Sequence, residues 1–282
     1  MKTLLKAAGL IVLIAAISPS LLAQWAPHPT SGVPRTPDGK PNLNGPAPRT
    51  PDGKPDLSGI WQTPRGAAGA GLPGAAPAPP PPLPPDGIPI ATFGNAGSGF
   101  KDGLPYQPWA AELVKKRMAD NSKDNPDAHC LPMGFLQFHN HPEPRKIIQT
   151  PGVLLMIYEA NSGLRQIFTD GRSLPGKDAE PWWYGYSVGK WEGDTLVVET
   201  TGFIDNNIWL DVRGSPMTDA AKVIERFRRP DYANLEIEIT VDDPKAYTKP
   251  WTVKVNQRIM PDTELIEFIC EERDATHYVG GK

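Results

Sequence analysis

Three acidic residues stand at strand-like positions whose same-face neighbours are apolar. Side chains alternate between the two faces of a strand. Asp170 therefore shares a face with Leu164 and Phe168, Glu199 with Val197 and Phe203, and Glu225 with Val223 and Phe227. A carboxylate on an apolar face is costly unless it is paired. Arg172, Arg226 and Arg228 are the nearby cations. Inward acids of this kind suit acid–base work in a hydrolase or isomerase, or they hold the polar end of a ligand. The structural alternatives are a shifted register that turns the acids to water, or plain ion pairs.

A second grouping, His139-Asn140-His141-Pro142-Glu143, has the donor types for Zn²⁺ or Cu²⁺. In an extended segment residues i and i+2 point the same way, so His139, His141 and Glu143 would form the set, with His129 a further donor. Aromatic residues gather at Trp182-Trp183-Tyr184 and Tyr186, with Trp191, Trp209 and Trp251 further on. They suit a stacking wall for an apolar or carbohydrate ligand, or barrel packing. Adjacent Trp182 and Trp183 face opposite sides of a strand.

No Gly-x-Gly-x-x-Gly, Walker loop, Gly-x-Ser-x-Gly elbow or His-Glu-x-x-His occurs, so the sequence names no cofactor. The formal charge is −3. Without Lys2 and Lys6 of the leader, 27 basic residues face 32 acidic ones, about −5, which argues against nucleic acid as the partner. Cys130 and Cys270 can bridge in an oxidising compartment, or remain separate buried thiols.

The elements that must position these groups are short strands. Leu235, Ile237, Ile239 and Val241 alternate with Glu236, Glu238, Thr240 and Asp242, the pattern of a half-buried strand. Further strands are expected over 145–150, 153–160, 164–170, 183–191, 195–203, 222–229, 251–260 and 264–272. Turn sequences such as Glu192-Gly193-Asp194 and Pro261-Asp262-Thr263 separate most of them. About nine strands joined so closely imply an all-β, antiparallel meander that closes, or nearly closes, into a barrel. A helix is expected from Pro108 to about Asp120, with Trp109 and Leu113 one turn apart.

The N-terminus reads as a secretory signal over 1–23: Lys2 and Lys6, then a short apolar run, then Ala23 before Gln24. Residues 24–107 form a Pro/Gly-rich, largely disordered segment, in which 57–63 could supply the first barrel strand. From Gln24 to Pro108 there are 21 prolines. The run Gly66 to Pro85 reads as a polyproline or flexible linker. Arg35 to Gly45 (RTPDGKPNLNG) recurs as Arg49 to Gly59 (RTPDGKPDLSG), with Asp56 and Ser58 substituted, a duplication within the tail. Residues 108–282 are the barrel domain with its leading helix. No later stretch approaches transmembrane length.

Pro55-Asp-Leu-Ser-Gly-Ile-Trp61, Cys130-Leu-Pro132, Ile148-Gln-Thr-Pro-Gly152, Asp170-Gly-Arg172, Trp191 to Phe203, Glu225-Arg-Phe-Arg-Arg229 and Asp242 to Tyr247 resemble an uncharacterised family of exported bacterial proteins from acidobacteria and proteobacteria. That resemblance implies membership and no particular activity. Gly59-x-Trp61 also resembles the start of the first lipocalin strand, which implies a lipocalin-like barrel in which an Arg, Arg258 or Arg273 here, covers that Trp.

Together these features suggest a periplasmic or secreted protein that binds a small, largely apolar molecule in a barrel pocket. Asp170, Arg172, Trp183, Tyr186, Glu199 and Glu225 would be its contacts. A hydrolase or isomerase is the second hypothesis and requires at least two of the acids in one concave pocket. A cell-envelope interaction module is the third and requires a filled barrel with an exposed apolar patch.

Overall fold

Strict alternation decides which side chains enter the core. In β10 (Asn234–Asp242), Leu235, Ile237, Ile239 and Val241 are fully buried, while Glu236, Glu238 and Thr240 point outward. The same rhythm runs through β9 (Lys222–Arg228) and β11 (Trp251–Ile259). In the computed structural model, which describes residues 29–64, 84–205 and 207–268, these strands belong to one closed barrel. The others are β1 (Gly59–Gln62), β2 (Arg145–Gln149), β3 (Val153–Tyr158), β4 (Leu164–Phe168), β5 (Tyr186–Glu192) and β6 (Thr195–Thr201). The order around the ring is β1-β11-β10-β9-β6-β5-β4-β3-β2. A separate two-stranded hairpin, β7 (Ile208–Trp209) and β8 (Pro216–Met217), interrupts the meander between β6 and β9.

The ring holds nine strands, an odd number, so antiparallel pairing cannot continue all the way round. The exception is β4–β5, which is parallel over Ile167↔Ser187 and Phe168↔Val188. A parallel neighbour needs a long connection, and residues 169–185 provide it. The meander expected from the sequence is thus present with one parallel seam. The strand expected over 264–272 is not formed: 264–268 carry no regular structure and the rest lies outside the described residues. Closure comes from β1, which pairs with both β11 and β2.

Helix α1 (Pro108–Ala119) begins at its proline, as expected, but buries Ala110 and Val114. Trp109 is 47 % exposed and donates its indole N–H to the Lys245 carbonyl at 2.7 Å. A second, six-residue helix, α2 (Phe135–Asn140), is buried along its whole length. Gly134 lets it enter, because a Cβ there would collide with the Trp209 carbonyl.

Where it is described, part of the N-terminal segment packs against the barrel. Ala91, Phe93, Ala96 and Leu104 belong to the main core. The leader expected over 1–23, the polyproline run from Gly66 as far as residue 83, and Cys270 lie outside the described residues, and with Cys270 the expected Cys130–Cys270 bridge.

Trp61 is fully buried and donates its indole N–H to the Leu57 carbonyl at 3.0 Å. Among the described residues its covering cation is Arg229, 4.8 Å above the ring, whereas Arg258 faces outward and Arg273 lies outside the described residues. Replacing Trp61 with Ala should therefore cost about 3–5 kcal/mol, read as a lowered urea midpoint with little change in slope.

Candidate functional site

The middle of the barrel is polar. Glu225 on β9 is fully buried and receives both terminal nitrogens of Arg165 on β4, with the Arg165 Nη1–Oε1 bond at 2.9 Å. Arg165 also donates to Ser187 Oγ at 3.1 Å and Thr200 Oγ1 at 3.0 Å, which lie 2.9 Å apart. The remaining capacity of Glu225 Oε1 is filled from α2: His139 Nε2 approaches to 2.8 Å. The α2 helix therefore lies inside the barrel, at the end bearing the β3–β4 turn. Phe138 stacks on Tyr158 at 4.3 Å, and His139 faces Phe227.

A second buried arginine holds α2 in place. Arg145 donates to the carbonyls of His139 (2.5 Å), His141 (2.8 Å) and Glu143 (2.8 Å), the free end of a helix that needs donors. Thr63 and Gln257 donate to the His139 carbonyl as well, each at 3.0 Å.

Burial opposes ionisation of Glu225, but the adjacent Arg165 outweighs it and sets the carboxyl pKa at about 2. Such a group remains a carboxylate and is unsuited to donating a proton at neutral pH. Burial lowers the pKa of His139; the Glu225 bond opposes this only in part, and Arg165 and Arg145 add to the lowering. His139 is the neutral imidazole, with Nε2–H donating to the carboxylate. Burial alone brings Arg145 down to about 10.

The other expected acids do not join Glu225. Alternation holds in β4, but its Leu164–Phe168 face is the outside of the barrel; Leu164 is 52 % exposed, whereas Arg165 and Ile167 point in. Asp170 is consequently exposed and pairs with Arg172 at 2.6 Å. Glu199 pairs with Lys222 at 2.8 Å on the outer face. The convergence of acids required of the hydrolase or isomerase does not occur.

Asp170, Arg172 and Tyr186 do meet, on the outer surface at the β4–β5 seam. Arg172 donates to the Tyr186 hydroxyl at 3.1 Å and lies 3.9 Å above the Phe168 ring. Phe168, Tyr186 and Trp182 continue as a ladder of rings spaced 5.1 Å apart. Trp182, at 40 % exposed, is the open rung; Trp183 turns the other way and packs on the core. Next to Tyr186 a cleft of about 690 Å³ is lined by charged side chains, among them Lys222 and Lys245. Both are engaged, Lys222 with Glu199 and Lys245 with Asp219.

The expected metal ligands are divided between two places, because His139 is helical and not extended. His139 points to Glu225, while His141 lies 2.5 Å from Glu143 and 3.5 Å from Asp127. Burial lowers the His141 pKa, but these two carboxylates outweigh it and hold it above the ordinary value. Among the described residues no group of three or more His, Cys, Asp or Glu side chains is placed to hold a metal ion.

The concavity at the barrel itself lies at the end opposite α2, between the β2–β3 and β5–β6 turns. It measures about 350 Å³ and is floored by Leu154 and Leu196, with Trp191, Thr169 and Gln149 at its sides. Thr50, Pro51 and Asp52, from the second copy of the repeat, form its outer wall. Parity identifies Trp191 as inward, in step with Ser187 and Gly189; a barrel pocket was expected from the sequence, but not this lining, nor the interior arginines. Glu225 between two buried apolar residues was the available signal for an inward cation on another strand.

Replacing Glu225 with Gln leaves a charged Arg165 in the core and should cost about 3–5 kcal/mol. The folded pKa of Glu225 is depressed, so its contribution is present above the ordinary 4.5 and is lost as pH falls toward about 2. His139, depressed below its ordinary 6.5, adds a loss that begins as pH falls through that value. Urea midpoints from pH 7 to pH 3 should fall in the wild type and fall less steeply in Glu225→Gln. No family model, curated protein or solved structure matches the chain.

Proposed function

We propose that this is an exported, lipocalin-like binding protein whose ligand, a small and largely apolar molecule, occupies the open barrel mouth. The observation that carries this reading is the apolar floor of Leu154 and Leu196 beneath Trp191 in a concavity of about 350 Å³. Small-molecule sites combine an apolar lining with a few placed polar groups over roughly 300–1,000 Å³. At the low end of that range the ligand is compact, of the order of one or two fused rings. Thr169 supplies a polar contact, while the Gln149 amide at the side of the cleft is held by Leu57 N–H and the Pro55 carbonyl. Export, to the periplasm or beyond, is supported by the leader sequence at 1–23, and membership of the exported bacterial family by its sequence blocks.

The ligand contacts differ from the expected set, because Asp170, Arg172 and Tyr186 sit on the outer wall. That outer ladder, together with a centre filled by side chains, favours a second reading, an envelope interaction module that uses Trp182. The two are separated by titrating the full chain with N-phenyl-1-naphthylamine, a neutral apolar fluorophore, alongside native mass spectrometry of protein from its native host. Trp191→Ala should weaken the fluorophore about tenfold, the worth of roughly 50–60 Å² of apolar contact, and remove any native adduct. Trp182→Ala should leave both unchanged. The reverse pattern would move the site to the outer ladder.

A further inference from the structure

The two copies of the repeat fold alike. In each, the Thr hydroxyl bonds the Asp carboxylate two residues on and the Lys carbonyl four residues on. In each, the Arg donates to the Gly carbonyl of its own turn, Arg35 to Gly39 at 3.0 Å and Arg49 to Gly53 at 2.7 Å. Backbone bonds close both units, Asn42 N to Pro34 O and Asp56 N to Pro48 O. Each unit then uses the same Arg to grip one aspartate in a barrel turn through two bonds. Arg35 takes Asp262 at 2.6 and 3.0 Å; Arg49 takes Asp194 at 2.6 and 2.9 Å.

Their positions differ. The first unit lies on the turn after β11, while the tip of the second lines the mouth cleft. The ends of the second unit are anchored: Tyr232 N donates to the Gly45 carbonyl at 2.8 Å, Arg229 to the Asp56 carbonyl at 2.5 Å, and Leu57 is fully buried. Its tip is closed by its own hydrogen bonds, and its polar holds on the barrel are the Arg49–Asp194 pair and, next to the anchored C-terminal end, Gln149 Nε2–H donating to the Pro55 carbonyl at 3.2 Å. That pair is open to water, with side chains 52 % and 61 % exposed, against 28 % and 29 % for Arg35–Asp262. Exposed ion pairs are weak and salt-screened.

We propose that residues 48–56 form a latched cover over the barrel mouth, which swings as a unit about its anchored ends when the Arg49–Asp194 pair breaks and so controls entry and release of the ligand. This rests on the mouth being the ligand site. The duplicated unit supplies a matched control, since Asp262 makes the same contact away from the cleft.

The test uses the full chain with 5-fluorotryptophan, the Trp191 resonance being assigned by its loss in Trp191→Phe, and stopped-flow release of N-phenyl-1-naphthylamine. Asp194→Ala should shift the Trp191 resonance toward a solvent-exposed value and speed release about twofold to fivefold, the span expected of an exposed ion pair. Raised salt should bring the wild type toward the variant and leave the variant unchanged. Asp262→Ala should do neither. An unshifted Trp191 resonance in Asp194→Ala, or an equal shift in Asp262→Ala, would overturn the latch. If the fluorophore does not bind, the mouth as ligand site fails, and the Trp191 resonance still decides whether the cover opens.

Discussion

The Arg165–Glu225 pair is the constraint around which the barrel is arranged. Two charges with no access to water require a partner for every lone pair and proton, because an unpaired buried charge is far more costly than a paired one. Ser187 and Thr200 accept further arginine protons, and His139 donates to the remaining lone pair of Glu225 Oε1, which it shares with Arg165. That last requirement brings α2 into the barrel. Once inside, its terminal carbonyls need donors, which explains the second buried arginine, Arg145, and the inward Thr63 and Gln257. A polar centre thus determines the helix, and the helix closes one end.

Closing that end leaves the other as the place where a ligand meets apolar barrel interior. The inward residues there, Leu154, Leu196 and Trp191, belong to the layer above the polar centre. A carboxylate held at a pKa of about 2 and a neutral imidazole, both sealed from solvent, specify the fold and are placed for packing rather than turnover. Chemistry that depends on contact with a substrate must occur at the mouth or on the outer wall.

The odd strand count has its own consequence. It forces one parallel seam, and the long connection that a parallel pair needs carries the Asp170–Arg172 pair and Trp182. These residues were attractive in sequence because charge and aromatic rings cluster there. They cluster on the outer wall, where exposure makes the ion pairs inexpensive.

Most strand positions and turns, the closing strand at Gly59 and the helix at Pro108 were legible in the sequence, because period-two alternation and turn chemistry are local signals; the β7–β8 hairpin was not, and the strand expected over 264–272 did not form over its described part. So was the inward direction of Glu225, flanked by Val223 and Phe227 in a strand that alternates strongly. The face of β4 was not legible. Leu164 and Phe168 compete with Arg165 and Ile167, and only the barrel, by placing Glu225 across from Arg165, makes the charged face the inner one. The run His139 to Glu143 carries no helical period of its own; insertion between the barrel walls makes His139 and Asn140 the last turn of α2, and the chain leaves the helix at His141, which separates the two histidines. The repeat looked like tail because Pro-Asp-Gly turns cannot build a core. What orders them is a pair of aspartates far along the chain, Asp194 and Asp262, and contacts at such separation are decided by tertiary structure alone.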